Sequence, residues 1–295
     1  MQKNKKDEII IKLDGRMGNQ MFQWAFGRAM EAKKGITPVF DDSRETLKLG
    51  CFNLMKDIKT IHKPLWNKIL RKIIIFRNLR NKITDLKIIA PQYSEKMGVG
   101  YQSELFEVTP PACISGYFQT EKYFSDVREK LLNDFVIKGK ISKRNQLMLD
   151  KIKSVNSVAV HFRRGDYTKA RVEKLFGMCS ENYYKKAIDT IAEKTQEPIT
   201  LFIFSDDINW VRNNVKFNYD TVYVDINSGK QAVFDLDLMK NCKHNVIANS
   251  SFSWWGAWLN ENPNKIVVAP TPWHDSDTIN SDDIVPDNWI KIPKK

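Results

Sequence analysis

The sequence predicts an α/β protein whose C-terminal half is a doubly wound parallel sheet. Five short apolar segments, 157–162, 199–204, 220–224, 245–248 and 266–269, alternate there with stretches of helical period. Strands that alternate with helices assemble in parallel, with helices on both faces. The chain also opens with a strand, a glycine-containing turn, a helix and a second strand, which is a βαβ unit. At 295 residues, with 42% hydrophobic and 28% charged content, the chain has the composition of a globular protein of one large or two medium domains.

In order, Glu8–Leu13 reads as the first strand and 14–20 as a turn. Met21–Lys34 reads as a helix ended by Gly35 at C′, and Ile36–Phe40 as the second strand. The stretch from Asp41 to Asn156 is less regular. It holds a basic helical pattern over Leu65–Arg80, a glycine-containing loop at Tyr93–Tyr101, a strand entering a loop over Ala112–Gln119, and a helix over Glu121–Phe135. Lysine-rich Ser142–Ser154 reads as the linker, dividing the chain into domains 1–150 and 151–295. Beyond it, Ser180 is placed to cap a helix over Glu181–Glu193, and a short helix runs to Asn213. Further helices are expected at Lys230–Cys242 and Phe252–Asn260.

Composition narrows the function classes. The four cysteines are far apart and form no CxxC pair, which argues against a zinc framework or a disulfide scaffold and for a reducing compartment. The N-terminus lacks the apolar core of a signal peptide, and no apolar run reaches membrane-spanning length, so a cytoplasmic protein is expected. The net charge of +12 is uneven: Leu54–Lys87 carries ten Lys/Arg and two Asp, or +8 in 34 residues. A helix packed on a core ranks first for this stretch, peripheral membrane contact through 64–83 second, and nucleic acid last, since no nucleic-acid-binding signature accompanies the charge.

The chemistry gathers at three strand ends, which open on one edge of a parallel sheet. The first carries His161, Arg163, Arg164 and Asp166, the second Ser205, Asp206 and Asp207, the third Asn249, Ser250 and Ser251 just before a helix. Arginine grips phosphate with a planar fork that keeps its charge. A helix N-terminus offers unpaired N–H groups to an anion, to which the hydroxyls of Ser250 and Ser251 add donors. Phe252 can lie against a base or ribose, and Asp206 or Asp207 can accept hydrogen bonds from guanine. The plainer accounts are a surface ion pair at Arg163–Asp166 and simple caps at Asp206–Asp207 and Ser250. Three converging ends favour a pyrophosphate nucleotide. Asp235 and Asp237 match a DxD metal pattern but fall inside a predicted helix, where residues two apart face different ways, so no metal is expected. His161 and His244 have no second ligand at a suitable spacing. The tryptophans at 254, 255 and 258 read as core.

Six ordered blocks carry a family likeness: Gly15-Arg-Met-Gly-Asn-Gln-Met-Phe-Gln23, Gly116-Tyr-Phe-Gln119, His161-Phe-Arg-Arg-Gly-Asp-Tyr167, Phe204-Ser-Asp-Asp207, Cys242-Lys-His244 and Ile247-Ala-Asn-Ser-Ser-Phe-Ser-Trp-Trp-Gly-Ala-Trp-Leu259. The chain resembles the bacterial α-1,2-fucosyltransferases. The resemblance implies a GT-B type fold, two Rossmann-like domains with the nucleotide site between them. It implies GDP-β-L-fucose as donor, inversion to an α-1,2 linkage on a terminal galactose, and no metal or other cofactor. By the same resemblance, Arg163 holds the departing β-phosphate and His161 contacts the nucleotide. Arg16, Gly18 and Asn19 close over the donor from the first domain, with Asn19 near the sugar. Arg16 stands where the family often has a small or apolar residue, which leaves the role of that loop open. Arg164 is expected to orient the motif through Asp166. His161, Asp14 and Asp166 remain alternatives for the general base. Two other readings compete: a non-catalytic nucleotide or polyanion binder, suggested by the basic stretch, and a transferase with a metal at Asp235 and Asp237.

Overall fold

The structure, a computed structural model, describes residues 8–42, 47–54, 90–96, 99–165, 175–276 and 279–295. The basic stretch 64–83, Asp166 and Tyr167 lie outside them. No described helix is long and apolar enough to cross a membrane.

The chain forms two compact units, and both are built on parallel sheets, as the α/β reading requires. The first holds β1 (Ile9–Lys12), α1 (Met17–Lys34), β2 (Val39–Asp41), β3 (Gln92–Ser94), β4 (Ala112–Ser115) and α2 (Arg128–Asp134). Its described strands pair in the order β2-β1-β4-β3, all parallel. The glycine stop of α1 is as expected: Gly35 is left-handed at φ 67, and its N–H returns to Glu31 O.

Helix α1 begins four residues earlier than its apolar period suggests, because its buried face is partly polar. Gln20 and Gln23 are buried there. Gln20 Oε1 accepts from Lys48 N at 2.7 Å, and Gln23 bridges Asp14 N at 2.9 Å and Gly116 O at 3.0 Å. Trp24 Nε1 and Arg28 Nε both donate to the buried carboxylate of Asp134. A hydrophobic-period argument cannot see a face whose polar groups are all satisfied internally. The helix expected over Glu121–Phe135 is shorter: two 3₁₀ turns, Glu121–Tyr123 and Ser125–Val127, precede α2.

The second unit holds α3 (Lys143–Ser154), β5 (Ser157–Phe162), α4 (Glu181–Thr195), β6 (Thr200–Ser205), α5 (Ile208–Asn214), β7 (Asp220–Tyr223), α6 (Val233–Asn241), β8 (His244–Val246), α7 (Ser251–Trp258), β9 (Val267–Thr271) and β10 (Ile290–Pro293). The main division between the units falls at Phe135/Val136, not at 150. The expected linker 142–154 is instead helix α3, whose N-cap Ser142 accepts from Asn145 N at 3.2 Å. Only Asn145 and Ile152 of α3 are buried, so its composition imitates a solvated connector. Strand β10 escaped the sequence reading, because its four residues offer two isoleucines separated by a lysine and end on a proline.

The strand order is β10-β9-β8-β5-β6-β7, with every pair parallel. Numbered within the unit it is 6-5-4-1-2-3, the doubly wound order whose ligand crevice opens where the winding reverses, between its first and fourth strands. Those strands are β5 and β8. Side chains alternate along β5: Val158, Val160 and Phe162 enter the cluster under α4, with Tyr183, Ile188, Leu201 and Ile203. Ala159 enters the opposite cluster with Phe202, Leu238 and Met239. The tryptophans of α7 are core: Trp254 and Trp255 are fully buried and in ring contact.

Candidate active site at the switch point of the second sheet

The carboxyl ends of β5, β6 and β8 bring together His161, Arg163, Asp206, Asn249, Ser250, Ser251 and Phe252 on one edge of the second unit. Arg16, Gly18 and Asn19 belong to the first unit, at the start of α1 just beyond β1. Gly15 there is left-handed at φ 76, and a side chain on it would press within 2.7 Å of Asn19 Nδ2.

Register explains the centre of the site. Phe162 pairs with Ser205 in the β5–β6 ladder, so the next residues, Arg163 and Asp206, leave the sheet side by side. Asp206 Oδ2 takes Arg163 Nη1 at 2.6 Å, while Oδ1 accepts from the N–H groups of Arg164 at 2.9 Å and Gly165 at 3.1 Å. A side chain on Gly165 would collide with the same carboxylate. Both oxygens of Asp206 thus hold the β5 loop and the Arg163 guanidinium, a positioning role that the guanine-acceptor reading did not include. The pair is worth more than a surface bridge because it is bonded on both oxygens and mostly shielded.

Arg164 is set apart from Arg163. Its guanidinium carbon lies 3.2 Å from the centre of the Trp210 ring, and its Nε sits 3.7 Å from Asp207 Oδ2. The bracing expected from Asp166 lies outside the described residues. Among the described residues, Arg164 is braced by Trp210, Asp207 and the Asp206 bond to its own N–H. Asp207 is also a helix cap, accepting from Trp210 N at 3.3 Å. Beside these two arginines lies a cavity of about 60 Å³, walled in part by Met178, Cys179, Tyr184 and Trp210.

His161 falls on the Ala159 face of β5, buried, with its ring 5.9 Å from that of Phe252. Burial lowers its pKa to about 4; Asp206 opposes the shift and Arg163 adds to it. The imidazole is thus neutral near pH 7, a hydrogen-bonding group and not a cation. Among the described residues its buried Nδ1 has no hydrogen-bond partner. Such an atom is uncommon in a finished core and calls for an explanation.

The third strand end divides between support and display. Asn249 is 2% exposed, and its Nδ2 lies within hydrogen-bonding distance of Phe176 O (2.8 Å), Gly177 O (2.9 Å) and Trp273 O (3.1 Å). The amide is a clamp on two loops. Ser250 stands at the N-cap of α7, yet its side chain makes no cap hydrogen bond. The plain-cap account of Ser250 therefore does not hold. First-turn N–H groups of a helix lack intrahelical acceptors, so the start of α7 presents donors beside Ser250, Ser251 and Phe252.

Asp235 and Asp237 lie on α6, as expected. Asp235 accepts from Asn227 Nδ2 at 2.8 Å, and Asp237 pairs with Lys240 at 3.0 Å. Among the described residues no group of three His, Cys, Asp or Glu is placed to hold a metal ion. Burial raises the Asp235 pKa to about 7, against the hydrogen bond from Asn227. The folded protein keeps that proton between pH 4 and 7 while the unfolded chain loses it, so Asp235 subtracts stability as pH rises through this window. Asp235→Asn removes the effect. Relative to the parent, the variant is expected to gain up to about 1.4 kcal/mol per pH unit from pH 4 to 7, as read from urea unfolding at several pH values. Parallel stability curves would contradict the assignment.

Comparison with known proteins agrees with this frame. The model of "Glycosyl transferase family 11" matches residues 1–293. An α-1,2-colitosyltransferase of Escherichia coli is 34% identical over 97% of this chain and 99% of its own length. The O-antigen biosynthesis glycosyltransferase WbnK of Escherichia coli is 31% identical over 95% of this chain and 99% of its own. The crystal structure of the fucosyltransferase NodZ from Bradyrhizobium superposes with a TM-score of 0.49 and 13% identity, covering 85% of this chain and 92% of that one. With the family match running from the strand before the Gly15 turn through the last strand of the second sheet, the chain belongs to glycosyl transferase family 11.

Proposed function

We propose that the protein is an inverting, metal-independent glycosyltransferase that moves L-fucose from GDP-β-L-fucose to the 2-hydroxyl of a terminal galactose on a cell-surface glycan. The observation that carries this reading is the Arg163–Asp206 pair at the switch point of a family 11 chain. Displacement at the anomeric carbon leaves growing negative charge on the β-phosphate. A guanidinium already held in place by Asp206 meets that charge without reorganising. The start of α7, with the hydroxyls of Ser250 and Ser251, takes the other phosphate oxygens. His161 Nδ1 acquires its missing partner from the donor, and Phe252 lines the ribose side. Arg16, Gly18 and Asn19 serve the donor from the first unit. Peripheral membrane contact through 64–83 belongs to the same reading, since a lipid-linked acceptor would give that basic stretch a reason.

One observation favours a second donor: the 34% identical relative is a colitosyltransferase. Colitose is L-fucose without its 3-hydroxyl. A site that hydrogen-bonds that hydroxyl rejects the deoxy sugar by about 10⁴–10⁵, whereas an apolar lining separates the two by roughly 10² or less. The test is transfer to a galactose-terminated acceptor from each GDP-sugar, with and without excess EDTA. The expected outcome is an α-1,2 product from GDP-fucose, undiminished by EDTA and faster than from GDP-colitose. The reverse preference would move the assignment to colitose. Loss of activity in EDTA would revive a metal-dependent mechanism, and GDP binding without transfer from either donor would favour a non-catalytic binder.

A further inference from the structure

The first unit carries a second built feature, at the carboxyl edge of its own sheet. Beyond β4, residues Gly116, Tyr117 and Phe118 are held in one conformation by several independent devices. Glu95 Oε2 accepts from the N–H groups of Tyr117 and Phe118, both at 2.8 Å. A side chain on Gly116 would come within 2.6 Å of Glu95 Cβ. Phe118 is left-handed at φ 52, with its buried ring stacked on Phe26 at 4.0 Å. Gln23, bonded to both Asp14 N and Gly116 O, ties this loop to the end of β1.

A non-glycine residue in the left-handed region is strained and persists where its surroundings over-determine it. Burial also raises the Glu95 pKa, so the anchoring carboxylate is itself held in an unfavourable place. What this costly loop displays is a single ring: Tyr117 is 36% exposed, whereas Phe118 is fully buried. Burial raises the Tyr117 pKa, and the negative charge of Asp14 raises it further, which puts the phenol within electrostatic reach of that carboxylate. Asp14 Oδ1 accepts from Gly15 N at 2.7 Å. Its Oδ2 has no hydrogen-bond partner among the described residues.

A rigid, exposed aromatic face beside a carboxylate with an unused oxygen is suited to a pyranose. One face of a galactose ring is a patch of C–H groups, and its hydroxyls are donors. An aromatic ring supplies contact area with little conformational entropy to lose. We infer that Tyr117 and Asp14 form a subsite for the acceptor sugar, with the ring stacked on Tyr117 and a sugar hydroxyl donating to Asp14. The inference rests on the transferase reading above and adds to it the residues that meet the acceptor.

The test is steady-state kinetics with saturating donor and a galactose-terminated acceptor for Tyr117→Ala, Tyr117→Phe and Asp14→Asn, with GDP affinity by calorimetry on the same samples. Tyr117→Ala is expected to raise acceptor KM about tenfold or more, with GDP affinity unchanged, while Tyr117→Phe stays within about threefold of the parent. Asp14→Asn is expected to raise acceptor KM as well. A parent-like acceptor KM in Tyr117→Ala overturns the inference and leaves the transferase reading standing. Equal losses in the Ala and Phe variants overturn the stacking role. A parent protein that binds GDP but transfers to no acceptor removes the foundation for both.

Discussion

Arg163→Ala is expected to lower kcat for transfer by about 10²–10³, the usual loss when one preorganised donor to a developing charge is removed. The fold is expected to survive. Asp206 keeps its bonds to the N–H groups of Arg164 and Gly165 through Oδ1, so the loop beyond β5 stays tied to β6. The Asp206 side chain is about a quarter exposed, so the oxygen released by the substitution can be solvated. Arg163→Lys is expected to recover only part of the rate, because an ammonium cannot hold Asp206 and a phosphate oxygen in one plane. The measurements are kcat at saturating donor and the melting temperature of each variant. Near-normal turnover in Arg163→Ala would sink the assigned role.

The same pair shows what a sequence can and cannot convey. Strand β5 was legible to the residue, because six buried positions at the middle of a parallel sheet leave a mostly apolar run. The caps at Ser180 and Asp207 were equally legible, since each accepts from an N–H in the first turn of its own helix. The positioning role of Asp206 was missed because its partners lie about 40 residues away and depend on register. The signal was nonetheless present: aligning 157–162 with 200–205 places 163 opposite 206. Asn249 gave no such signal. Its three acceptors are backbone carbonyls in two distant loops, which no pattern of side chains records. The buried amides of α1 were hidden for a related reason, because Gln20 and Gln23 look like surface residues until their backbone partners are known.

That clamp yields the second large effect, in a double-mutant cycle between Asn249 and Lys294. Lys294 is buried, and its Nζ contacts Asp275 Oδ1 at 2.6 Å, Phe176 O at 2.6 Å and Trp273 O at 3.2 Å. Burial lowers the Lys294 pKa despite the attraction of Asp275, the mark of a cation held for its contacts at a desolvation cost. Two of its acceptors, the carbonyls of Phe176 and Trp273, are also those of Asn249. Asn249→Ala therefore leaves Gly177 O without its amide donor while Lys294 still serves the other two carbonyls. Lys294→Met leaves Asp275 with Lys295, and the carbonyls with Asn249. Each single change is expected to cost about 1–3 kcal/mol, as for one unsatisfied buried group. Together they strip both shared carbonyls of these donors. The double variant is thus expected to lose more than the sum of the two, by a further 1–3 kcal/mol or so, measured by chemical denaturation. Strict additivity would mean that the two side chains do not share a task. Because Met178 and Cys179, which wall the cavity beside Arg163 and Arg164, follow directly on this clamped turn, the stability loss is expected to bring a loss of transfer with it. An arginine can stabilise a leaving phosphate only while the wall behind it stays in place.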